Sequence, residues 1–254
     1  MATASLSGAV SAMCPGYMER TVVRSAGAGR CRIGIVSPIG PVERFHALFL
    51  DGAPIVELND AIAAALGRDP SGSAGVRAAA ETCRASDAGG IVSHLWAELG
   101  LRGDVETYDS VSNSFVGEVL ERRRGIPIAL AAVAMGVGDA LGIPLDGIGM
   151  PGHFLVRERG GAGRFFDPFH GPEPLDEHGC RRLCASVTGG ERWSDAYLAP
   201  VTVGAMALRM LTNLKSAYRR SGDERSLRTV MLLRRTFLGD AEREEFARMM
   251  RARN

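Results

Sequence analysis

The sequence predicts an α+β protein, with helices first, a small antiparallel sheet in the middle and helices again at the end. Three observations predict it. Residues 128–141 are apolar almost all round, the pattern of a helix buried on every face. After Pro144 the apolar period shortens to two and stays there to Phe169. Beyond Asp176 helical spacing returns, with Met206, Met210, Leu211, Leu214 and Tyr218 in one stripe.

Residues 1–41 are rich in Ala, Ser and Gly, carry Pro15, Pro38 and Pro41, and show no amphipathic period. They read as a loosely ordered leader, with Met13 and Met18 as alternative starts. From Val42 the pattern is helical. Ile55, Val56, Leu58, Ile62, Ala65 and Leu66 fall at three- and four-residue spacing, and Gly67 and Pro70 stop them. A second helix is expected over 75–85 and a third over 91–99, with Leu95, Trp96 and Leu99 facing inward. Residues 109–113 form a polar turn, and a helix follows over 114–124. Gly125-Ile126-Pro127 then breaks that helix and starts the central one. Proline suits the first helical position because its missing N–H would be unpaired there anyway. Gly142 and Pro144 end the central helix.

Strands are expected at 145–150, 153–158 and 164–169. The run Arg159-Gly160-Gly161-Ala162-Gly163 turns the last two into a hairpin. Helices over 198–219, 225–237 and 241–250 complete the chain. The organisation expected is a leader (1–41), a core with its N-terminal helices (42–190) and a helical extension (191–254).

Composition excludes several classes. The chain has 254 residues, 46% apolar and 23% charged, which is globular and long enough to bury a core without staples. Thirty basic residues balance 29 acidic ones, so nothing marks a nucleic-acid partner or an anionic membrane. The longest apolar run, 126–137, is too short for a membrane span. Lys215 is the only lysine, and with so much Ala and Gly this reads as the coding bias of a GC-rich bacterial genome. Five scattered cysteines are no disulfide framework, and the first 19 residues hold no Lys or Arg for a signal peptide. The cytoplasm is the expected compartment.

The hairpin carries the chemistry. Turned about Gly160, it sets His153 opposite Asp167 on one face, with Cβ atoms about 5 Å apart. A carboxylate beside an imidazole fixes its tautomer and orients its other nitrogen, giving two members of a nucleophile–base–orienter triad. A nucleophile belongs at the N-terminus of the central helix, where the dipole lowers a thiol's pKa. The residues there, from Arg124 to Ala129, include no Cys, Ser or Thr.

Several motifs together resemble the SirB-type transglutaminase-like proteins. They are Tyr108-Asp109, Asn113-Ser114-Phe115, the run RRRGIPIAL from Arg122 to Leu130, Leu141-Gly142-Ile143-Pro144-Leu145, Pro151-Gly152-His153-Phe154-Leu155-Val156-Arg157, Asp167-Pro168-Phe169, Tyr197-Leu198-Ala199-Pro200-Val201, and Arg209-Met210-Leu211 with Asn213-Leu214-Lys215. The resemblance runs over about residues 45–220. It implies a papain/transglutaminase-like core, in which a helix bearing Cys at its N-terminus packs on a sheet bearing His and then Asp, with tetratricopeptide-like helices after it. His153 and Asp167 match the second and third members. The Cys position falls near Pro127, where this sequence departs from the active pattern.

That departure favours a binding or scaffold module with a degenerate cleft, for a protein or peptide partner or a small amide ligand. The alternative is an amide-processing hydrolase or acyltransferase in which His153, oriented by Asp167, activates water or a non-standard nucleophile. Asn113, Arg123 and Pro127 are the candidate ligand contacts, Arg123 by meeting a carboxylate. Glu118 and Arg122 are expected to pair along their helix. Cys180, Cys184, His170 and His178 match no zinc spacing, and no metal or other cofactor is assigned. The sequence has no Walker or dinucleotide motif.

Overall fold

The computed structural model describes residues 39–161, 163–190 and 192–238. The expected leader, through residue 38, and the helix at 241–250 lie outside them. Helix α1 (Pro41–Leu50) opens the fold and packs on α2 (Ile55–Ala65). Helix α3 (Gly72–Thr82) starts three residues ahead of expectation, because Asp60 accepts the backbone N–H groups of Gly72 and Ser73 at 2.8 Å each. Helix α4 (Ala88–Ser93) begins at Asp87, whose side chain accepts from Gly90 N–H, and runs on as one wider turn, His94–Glu98. Trp96 is half-buried there, with the Arg102 guanidinium 4.7 Å over its ring.

Strand β1 (Arg102–Gly103) pairs in parallel with β2 (Arg124–Gly125), a contact that no period in so short a stretch announces. Between them lie a short turn, Val111–Ser114, and helix α5 (Val116–Arg122). Asn59 on α2, 1% exposed, ties this segment down. Its amide donates to Ser114 C=O (2.9 Å), and its carbonyl accepts from Val116 N–H (2.7 Å) at the start of α5.

Helix α6 (Pro127–Leu141) is the expected central helix, with Pro127 at its first position and eleven of its fifteen residues buried. It lies on a four-stranded antiparallel sheet, β3 (Leu145–Ile148), β4 (Leu155–Glu158), β5 (Phe165–Asp167) and β6 (Gly171–Leu175), in sequence order. Strands β3 to β5 place apolar residues on both faces of the sheet, while the edge strand β6 is partly exposed. Leu145, Val156 and Phe166 join the main core with α6, while Ile148, Leu155 and Phe165 pack with Cys180 and Cys184 of α7 (Glu177–Thr188). Alternation along the strands therefore divides two apolar sets, one on each face, so the period of two survives.

Helix α8 (Val203–Ser221) starts later than expected, at Thr202, whose hydroxyl accepts from Ala205 N–H. Its buried stripe and that of α9 (Glu224–Arg234) belong to the same apolar cluster as α6. The segment before α8 runs beside β3, where Val201 N–H donates to Gly147 C=O. No helix among the described residues is long and apolar enough to cross a membrane.

Three expectations need correction. The hairpin pairs Val156 with Phe166, turning about Gly161 rather than Gly160. Opposite partners thus shift by two residues, which keeps His153 and Asp167 on one side. His153 also precedes β4 instead of lying in it. Finally, Glu118 pairs with Arg68 of another segment, and Arg122 turns to Asp104 and Asn113. Tertiary partners win over the weak i, i+4 contact.

Candidate functional site

Two tight turns build the site. The first is Met150-Pro151-Gly152-His153, closed by His153 N–H donating to Met150 C=O at 3.2 Å. Proline presets the second position, and Gly152 takes φ +69°, which a side chain would resist. Arg209 of α8 clamps both ends of this turn, donating to Met150 C=O (2.8 Å) and to His153 C=O (2.9 Å). Its guanidinium also lies 5.5 Å over the Phe154 ring.

The second turn follows β5. Asp167 Oδ1 accepts from Phe169 N–H at 2.9 Å, the local bond that Asp-Pro sequences favour. The turn folds His170 back, so that its Nδ1 lies 2.7 Å from Asp167 Oδ2. His153 Nε2 meets the same oxygen at 2.9 Å. One carboxylate oxygen therefore accepts from two imidazoles, whose rings stack with centroids 5.2 Å apart. Phe169 packs edge-on against both rings. Its own ring lies where a side chain at residue 103 would put its Cβ, 2.6 Å away, so only glycine fits beneath it. Tyr108, partly exposed, closes the outer side of Phe169.

The electrostatics follow from this sharing. Burial opposes ionisation of Asp167, but the hydrogen bonds and charges of His153 and His170 outweigh it and hold the carboxyl below the usual range. The bond to Asp167 raises the pKa of His170 against a smaller opposing effect of burial. Asp167 is a persistent acceptor, so His153 donates through Nε2, and Nδ1 is the nitrogen left for chemistry. The side chain of His153 is nevertheless only 3% exposed. A cavity of about 10 Å³ among Val92, Leu95, Trp96, Leu101, Leu130, Val133 and Pro168 is lined by neither His153 nor Asp167.

The other expected site residues sit apart from this pair. Asn113 donates to Thr107 C=O (2.7 Å) and accepts from Arg122 (2.9 Å), so its side chain supports the loop that carries Tyr108. Arg123 is exposed at the end of α5, with φ 58°, and its carbonyl accepts from Arg102 N–H. Pro127 is buried at the start of α6. Cys180 is fully buried, and its thiol is pushed up to about 12 by burial and by the carboxylates of Asp176, Asp167 and Glu177. Sequence reasoning missed His170 as a site member. The signal was Asp167-Pro168, a turn that returns the chain three residues later to its own carboxylate.

A sequence profile of the transglutaminase-like superfamily matches residues 60–212, the span that holds every one of these groups. The chain belongs to the transglutaminase-like superfamily. It is 41% identical over 130 residues to a UPF0162 protein of Xylella fastidiosa, covering 49% of this chain and 46% of that one. A UPF0162 protein of Vibrio cholerae is 33% identical over 126 residues, again 46% of its length. F-box only protein 21 of Mus musculus is 30% identical over 141 residues, 22% of its length. The chain thus spans less than half the length of the curated relatives it matches. No solved structure matches it. As a transglutaminase-like chain it holds an imidazole and a carboxylate in hydrogen-bond contact, and a central helix whose first residues offer no thiol or hydroxyl.

Proposed function

We propose that this is a SirB-type transglutaminase-like protein with a degenerate catalytic site, acting in the cytoplasm as a binding or regulatory module for a peptide, protein or amide ligand. One observation carries the reading: α6 opens with Ile126-Pro127-Ile128-Ala129, so the helix dipole has no nucleophile to activate. Burial of Cys180 supports it, because a thiol with its pKa pushed up to about 12 supplies almost no thiolate near neutrality. The near-complete burial of the His153 ring supports it as well. Helices α8 and α9, joined by the short turn at Gly222-Asp223, supply the tetratricopeptide-like element of this reading.

A second reading, amide hydrolysis or acyl transfer, is favoured by one specific feature. His153 is oriented by Asp167 as a general base must be, with Nδ1 unused. The two separate in one experiment. The purified chain and its His153→Ala variant are incubated with a glutamine-containing peptide library, with and without an amine acceptor. The binding reading expects peptide retention by both proteins and no ammonia release above buffer. Ammonia release that disappears in His153→Ala overturns it in favour of the enzyme.

A further inference from the structure

We propose that His153, Asp167 and His170 form a binding site for one divalent transition-metal ion of the Zn²⁺ class. Each residue offers one ligand atom, and the three lie within 4.8 Å of one another; His153 Nε2 and His170 Nδ1 both face Asp167 Oδ2. The two nitrogen-to-oxygen separations are 2.9 and 2.7 Å. Zinc binds imidazole nitrogen and carboxylate oxygen at about 2.0–2.2 Å, which puts tetrahedral neighbours roughly 3.4 Å apart. The carboxylate and each imidazole stand somewhat closer than that, so rotation of the rings that widens both gaps admits the ion. Two imidazoles and one carboxylate suit zinc, iron or nickel better than calcium or magnesium.

The surroundings support the ligands. Asp167 Oδ1 is held by Phe169 N–H, so Oδ2, which faces the two imidazoles, is the ligand oxygen. The His153 backbone is pinned by Arg209. His153 and Asp167 are buried, whereas the His170 side chain is 53% exposed, so the unfilled coordination positions open on the solvent side. On binding, the cation takes the place of two imidazole N–H protons. In neutral rings those protons pass through solvent to His153 Nδ1 and His170 Nε2, and an imidazolium releases one proton to the buffer. A bound ion would replace the His153 Nε2–H to Asp167 bond on which the amide-processing reading rests, whereas the binding reading leaves the three ligands available.

The test uses the full-length chain stripped of metal with a chelator and titrated with ZnCl₂ in competition with a chromophoric chelator. The expected result is one Zn²⁺ per chain, with affinity at least about tenfold weaker in His170→Ala and unchanged in His178→Ala. His170 and His178 are both exposed, so neither variant threatens folding. Long-range ¹H–¹⁵N spectra of wild type should show His153 and His170 changing tautomer on zinc addition. Absence of stoichiometric binding overturns the proposal. So does an affinity unmoved by His170→Ala, or a sulfur-to-cobalt charge-transfer band on Co²⁺ addition, which marks thiolate ligands instead.

Discussion

Replacing Arg209 with alanine tests whether α8 holds the His153 turn in place. The guanidinium gives one hydrogen bond to each end of that turn, 2.8 Å to Met150 C=O and 2.9 Å to His153 C=O. Bonds from a charged donor are worth about 1.5–3 kcal/mol each, so the pair sets a ceiling of about 3–6 kcal/mol. Arg209 is only partly buried, and water recovers some of the loss at the vacated carbonyls. Burial also lowers its pKa, a sign that the native state already bears a desolvation cost. Stacking on Phe154 adds about 0.5–1 kcal/mol in the other direction. The net expectation is a loss of about 2–4 kcal/mol, read by urea unfolding at neutral pH with Trp96 and Trp193 fluorescence. Arg209→Lys should recover less than half, because an ammonium lacks the planar fork that spans two carbonyls. Imidazole resonances of His153 should shift in Arg209→Ala, since its backbone anchor is gone. A variant within about 1 kcal/mol of wild type, with those resonances unmoved, would refute the clamp.

Three other outcomes are expected. Asn59→Leu orphans Ser114 C=O and Val116 N–H inside the core, at about 1–3 kcal/mol each, and should cost about 2–5 kcal/mol in the same unfolding assay; stability equal to wild type would sink the assignment. The Asp167 carboxyl is depressed in the fold, so its contribution is present above the ordinary carboxylate range and fades as pH falls through the folded value; the raised pKa of His170 gives a contribution that is full below its ordinary value near 6.5 and fades as pH rises through the folded value. Wild type should therefore lose stability relative to His170→Ala as pH rises above the ordinary histidine value of 6.5, and a pH-independent difference would count against the shared carboxylate. Cys180, with its thiol pushed up to about 12 and no exposed surface, should resist iodoacetamide at pH 8 in the native protein and label fully in urea; rapid native labelling, read by mass spectrometry, would contradict its burial.

The parts that were legible in the sequence are those written in local pattern. An uninterrupted apolar run ending at a Gly and a Pro marks α6, and Pro127 marks its first residue. Alternation marks the strands that carry Leu155-Val156 and Phe165-Phe166, and Pro151-Gly152 marks the turn ahead of His153. The β1–β2 pair was not legible, because two residues per strand carry no period. Strand β6 holds two prolines, Pro172 and Pro174, which argue against a strand, yet it pairs along one edge of the sheet, where a missing donor is tolerated. The partners of Glu118 and Arg122 are not legible in the sequence, because a helix-surface pair of a few tenths of a kcal/mol yields to Arg68 and Asp104 brought from elsewhere.

By itself the sequence determined the fold class, the buried central helix, and the lack of a nucleophile before Ile128. Each depends on residue identity or on spacing within one element. Tertiary structure alone decided the register of the hairpin, the clamp from Arg209, the sealing of the His153 ring, and the placing of His170 on the same oxygen as His153. Each of these depends on angles and packing between segments that are distant in the chain or joined by a turn. A change of one residue in register, or of one rotamer, moves such a contact by several ångströms without altering any pattern along the sequence.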